Sequence, residues 1–168
     1  MVLGLTLPSL ILFLAVYYFL KQYHQQQTKM NLLGGRQLNE KMTLPLKLQA
    51  YERLILLCER IDIPDLVLRM KAPGTNAGEL KSALLLAIQQ EFEHNLTQQL
   101  YISEELWQVL LAMKSKTMDI IINAAEGLSA DTSAEEYGMK LIHLASNETT
   151  LPSRIGIKAI KTETSLWL

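Results

Sequence analysis

Residues 2–20, VLGLTLPSLILFLAVYYFL, carry no ionisable side chain apart from two tyrosines. They include seven Leu, two Val, two Phe and one Ile. A helix of about nineteen such residues crosses roughly 30 Å of hydrocarbon. At about −0.3 to −0.6 kcal/mol per large apolar residue, insertion outweighs the opposing Gly4, Thr6, Pro8 and Ser9. A cleaved signal peptide fits less well, because no basic residue precedes the stretch and no A-x-A-like site follows it. The stretch therefore predicts a retained transmembrane helix. Lys21, Lys29, Arg36, Lys41 and Lys47 all follow it. The positive-inside bias then places the N-terminus outside and the C-terminal domain in the cytoplasm, as a single-pass protein of the inner membrane. Tyr17, Tyr18 and Tyr23 suit the cytoplasmic interface.

The remainder of the 168 residues is long enough for one domain with a core. A formal net charge of −1 argues against a nucleic-acid partner, whose footprint is basic. The lone Cys58 excludes an intramolecular disulfide and accords with a reducing compartment. Composition divides the chain into an anchor with a polar helical extension (1–33), a flexible joint around Gly34-Gly35 (34–42) and a helical cytoplasmic domain (43–168).

Periodicity in that domain is helical, except that R-I-G-I-K-A-I (154–160) also alternates like a strand; with no other strand signal for it to pair with, the fold class predicted is all-α. It is a bundle-like arrangement of about five helices behind the transmembrane helix. The first runs from Leu44 to Asp62, with Leu44, Leu48, Tyr51, Leu54, Ile55, Cys58 and Ile61 on one face. Thr43 is its candidate cap. A short helical turn follows, ending at Pro73-Gly74. Asn76 and Glu79 form a capping-box signature for a helix reaching about Leu100. Ser103 caps the next, which buries Leu106, Val109, Leu110, Met113, Thr117, Ile120, Ile121 and Ala124 and stops at Gly127. The short connection between these two predicts a central antiparallel hairpin. Ser133 and Glu136 open a further helix, burying Tyr137, Leu141, Leu144 and Ala145. The last segment reads as a helix with Arg154, Lys158 and Lys161 on one stripe, a candidate lipid-facing surface. Ile155, Ala159, Leu166 and Trp167 fall roughly opposite.

Chemical signals are sparse. Extending the face of Leu80, Leu84 and Ile88 at 100° per residue carries Glu91, Asn95 and Gln98 onto it. An apolar face thus becomes polar, either projecting past the core or buried in a hydrogen-bonded network, with Arg53 or Arg60 as first partner for Glu91. Glu91 and His94 also form a Glu-x-x-His unit. Di-iron bundles use that unit twice, and here it occurs once. No phosphate-binding glycine loop, nucleophilic triad or zinc pattern is present, so no cofactor is expected and an enzyme is not the favoured class.

Two stretches, TLPLKLQAYERLILLCERI with IPDLVLRM, and EFEHNLTQQLYISEELW, resemble an uncharacterised family of small bacterial proteins. Its members combine an N-terminal membrane span with a helical cytoplasmic domain. The resemblance covers the layout from Leu3 to about Ala124 and implies topology and fold, with no activity attached. The family usually ends in a Lys-rich helix, which Trp167 and several threonines partly replace here. The expected function is a membrane-tethered helical module that holds a protein partner. The alternative is a ligand- or metal-binding domain on the Glu91, His94, Asn95 and Gln98 face.

Overall fold

A computed structural model describes residues 17–19, 21–22, 43–129, 131–147 and 150–166. The chain divides into two units, Met1–Pro45 and Leu46–Leu168. In the first, residues 17–19 and 21–22 are helical, with Tyr17, Tyr18 and Phe19 exposed. The rest of the apolar stretch and the joint at 34–42 lie outside the described residues. Among those described, no helix is long and apolar enough to cross a membrane. This corrects the expectation of a transmembrane helix, and with it the inner-membrane placement, the N-out/C-in orientation and the integral association with a bilayer. The longest described helices each carry charged side chains, whereas a spanning helix must be apolar all round; of the stretch at 2–20 itself only residues 17–19 are described.

The all-α expectation holds, and no strand occurs among the described residues. From residue 43 onward six α-helices are described: α1 (43–60), α2 (Ile63–Met70), α3 (Ala77–Asn95), α4 (Glu104–Ala124), α5 (Ala134–Asn147) and α6 (Pro152–Thr164). Thr43 already lies within α1, and Leu44 is exposed; the buried face begins at Ala50 and Tyr51 and continues through Leu54, Leu57 and Cys58. Pro64 occupies the first turn of α2, where a missing N–H is harmless. At the start of α3 the capping box is complete: the Asn76 side chain accepts the Glu79 N–H, and the Glu79 carboxylate accepts the Asn76 N–H.

The α-helix stops at Asn95, short of the expected Leu100, and Leu96–Leu100 tightens into a 3-10 helix. There the Asn95 side-chain amide donates to the Glu91 backbone carbonyl at 2.8 Å. Short polar side chains compete in this way with the helical ladder. The hairpin of α3 and α4 is antiparallel, with Phe92 against Trp107 (ring centroids 6.4 Å apart) and Gln89 accepting from Lys114 at 2.5 Å.

The beginnings of α3 and α5 are tied together. Ala77 donates its N–H to the Thr132 carbonyl at 2.9 Å and Ala134 donates to that of Thr75 at 3.0 Å, an isolated antiparallel bridge centred on Asn76 and Ser133. This bridge fixes where two helices start and brings Gly138 of α5 close to Val67 and Leu80. The core joins all six helices: Leu54, Leu66, Leu84, Leu110, Leu141 and Ile160 are each fully shielded from solvent.

α6 seats itself differently from its apolar pattern. Its buried residues are Pro152, Ser153, Gly156 and Ile160, while Ile155 and Leu166 stay exposed and Trp167 lies outside the described residues. The contact surface is chosen by close approach: a Cβ at Gly156 would stand 2.5 Å from Met113 Sδ and 3.0 Å from Cys58 Sγ. Cys58 is buried, and its Sγ lies 3.7 Å from Met113 Sδ. Burial first, then the charge of Glu59, pushes its thiol up to about 12, so it stays protonated and inert.

Candidate functional site

Two polar contacts pin α6. At its beginning the Ser153 hydroxyl donates to the Asp62 carboxylate, both buried. At its end Glu163 reaches α1 and α4 together. Its Oε1 accepts the Tyr51 hydroxyl at 2.9 Å and the Ser103 N–H at 3.0 Å, and its Oε2 accepts the Ser103 hydroxyl. Ser103 Oγ in turn accepts the Leu106 N–H at 3.1 Å, capping α4. The carboxylate thus sits at the positive end of α4, where negative charge is favoured. Burial, the hydrogen bond to Glu163 and that residue's charge push the Tyr51 phenol up to about 12. Glu163→Ala is expected to leave these donors poorly satisfied, lowering stability by about 1–3 kcal/mol in a thermal melt. Glu163→Gln, which keeps an acceptor, should cost less.

With both ends held, α6 leaves an open apolar groove against α4. The groove has a volume of about 470 Å³ and is lined by Leu106, Val109, Ile155, Ala159, Leu166 and Lys158. Ile155 is 49 % exposed and Leu166 78 %. Across the Ser103–Glu163 contact the groove adjoins a second hollow of about 440 Å³, beside Tyr51, Leu100, Tyr101 and Ile102. Arg154, Lys158 and Lys161 are exposed along α6, and their side chains form no ion pair among the described residues.

The polar face anticipated on α3 is assembled differently. Glu91 pairs with Arg60, whose Nη1 lies 3.1 and 3.4 Å from its two oxygens. Asn95 and Gln98 are buried, at 9 % and 8 % exposure. Asn95 bonds within its own helix, and Gln98 donates to the neighbouring Thr97 hydroxyl at 3.4 Å. His94 is exposed. Glu91, His94 and Asn95 line a notch of about 250 Å³ facing Arg53 and Arg60, but their side chains make no shared network among the described residues. No group of three or more His, Cys, Asp or Glu stands together among those residues to hold a metal ion.

A cleft of about 670 Å³ lies where the loops before α3 and α5 meet. Several of its polar groups already have partners: Thr75 Oγ1 donates to the Ala72 carbonyl at 2.7 Å, Lys71 pairs with Glu135 at 3.4 Å, and Asn76 belongs to the capping box. Neither that cleft nor the Glu163 contact had a sequence signal, because their parts come from distant segments.

The pattern of a family of unknown function, DUF7935, matches residues 1–166. The chain belongs to this family. The DUF7935 match takes in α5 and α6, beyond the part of the chain that the two motifs mark. No curated protein and no solved structure matches the chain. Membership in DUF7935 brings no activity with it, and the geometry of α4 and α6 is the basis for a functional reading.

Proposed function

We propose that this chain is a helical interaction domain, and that the α4–α6 groove receives an amphipathic helix of a protein partner. The observation that carries this reading is the exposure of Ile155 and Leu166 beside Leu106 and Val109, in a groove whose walls are fixed at both ends of α6. Large side chains left exposed around a concave apolar floor are characteristic of helix-in-groove recognition. Lys158 on one wall and Glu105 on the other supply a polar rim.

The test uses the isotope-labelled full chain and a neutral Leu/Ala/Gln helical peptide of about four turns, followed by NMR. Shifts concentrated at residues 103–109 and 155–166 are expected, and Ile155→Ser with Leu166→Ser should abolish them without lowering the melting temperature. No shifts, or shifts centred on the notch between Arg60 and His94, would overturn the reading.

A further inference from the structure

Resting on that reading, we infer that the helix received by the α4–α6 groove carries acidic residues on the flank that lies along α6. The charges of α6 are Arg154, Lys158 and Lys161 against the single carboxylate of Glu163. Glu163 is committed to Tyr51 and Ser103, so it does not neutralise the cations. The three cations follow one another at i, i+4 and i+7, one flank of a helix, over roughly 10 Å at 1.5 Å per residue. Lys158 belongs both to this row and to the wall of the apolar groove, between Ile155 and Thr162. A helix seated on Ile155 and Leu166 therefore runs beside the row. Carboxylates at matching i, i+4 and i+7 spacing meet it, whereas a basic flank meets like charge. The α4 wall carries Glu105, so an acidic flank is disfavoured there. This sets which edge of the partner helix faces which wall. Such charges set specificity and encounter rate more than total affinity.

The experiment compares two peptides on the full chain by fluorescence anisotropy at low salt. Both carry the same Leu/Ala stripe, one flanked by Glu at i, i+4 and i+7 and the other by Lys. The Glu peptide should bind on the order of tenfold more tightly, the combined effect of about three exposed charge pairs. The preference should shrink at about 1 M salt, where the Debye length falls to roughly 3 Å. Arg154→Glu, Lys158→Glu and Lys161→Glu together should reverse it; all three positions are exposed, and a melt identifies any loss of folding. Equal binding of the two peptides, or a preference insensitive to salt, overturns the charge inference while leaving the groove reading intact. Binding of neither peptide overturns both. Concentration-dependent self-association abolished by Ile155→Ser would assign the groove to a second copy of the chain and overturn the acidic helix.

Discussion

Replacing Gly156 by valine is expected to lower stability by about 3 kcal/mol, a fall of roughly 10 °C in melting temperature. The position lies inside α6, where glycine itself costs about 1 kcal/mol relative to alanine. Helix propensity alone therefore favours substitution. Packing opposes it, because the first added carbon would meet Met113 Sδ at 2.5 Å, Cys58 Sγ at 3.0 Å and Leu110 Cδ2 at 3.5 Å. Cys58 and Leu110 are fully buried and Met113 nearly so, leaving little room to yield. For alanine the two effects come close to cancelling. Valine gains less from propensity and adds two methyl groups to the crowded side, so sterics win. A double-mutant cycle checks the cause: Met113→Ala opens space beside Gly156, and the combined variant should be at least 0.5 kcal/mol more stable than the sum of the single changes. Additive losses would show that the close approach is not the constraint.

The same contact explains why the last helix was the hardest to orient from its letters. Hydrophobic periodicity weights Ile155, Ala159 and Leu166, yet α6 buries Pro152, Ser153, Gly156 and Ile160. Small residues allow backbones to approach closely, and their merit depends on what stands opposite, here Met113 and Cys58. Caps, by contrast, are local chemistry. Asn76 with Glu79, and Ser103 with the Leu106 N–H, needed only the identities of residues three apart. The Glu163 contact was invisible for the opposite reason. Its partners lie 60 and 112 residues away, and a carboxylate among Lys and Thr has no distinguishing spacing. The expectation of a spanning helix rested on the hydropathy of 2–20 alone, and among the described residues no helix is long and apolar enough to cross a membrane. On α3 the 100° spacing put Glu91, Asn95 and Gln98 on one face, but spacing alone carries no information about what each side chain bonds to. The partners were not all identified: Arg60 was a candidate for Glu91, but Asn95 and Gln98 bond locally rather than to each other.

Stability should fall steeply as pH rises from about 9 to about 12, because buried groups hold protons that the unfolded chain releases. Burial pushes Cys58 from 9.0, and Tyr137 from 10.0, up to about 12. Burial, reinforced by Glu163, does the same to Tyr51. Each folded-state pKa is raised, so the unfolded chain binds fewer protons across the window. The derivative of unfolding free energy with pH is then negative, reaching at most about 1.4 kcal/mol per pH unit for each group. The contribution is fully present below the ordinary pKa and is lost on approach to the folded one. Tyr137 provides the control. Its hydroxyl donates at 2.5 Å to the carbonyl of Ile121, in the last turn of α4, where Ala125 has turned its N–H to Ile122 instead. Carbonyls at that end lack helical donors, and this one is supplied by a buried phenol. Tyr137→Phe should cost about 1–3 kcal/mol near pH 8 by leaving the Ile121 carbonyl unpaired. The variant also loses one of the titrating groups, so its stability should decline less steeply than the wild type's in alkali. Circular dichroism melts of both proteins at about pH 8 and about pH 11 should show the gap closing. A gap that stays constant would mean that the Tyr137 phenol ionises as readily in the folded state as in the unfolded one, and no gap at about pH 8 would mean that its bond to Ile121 is not what holds the end of α4.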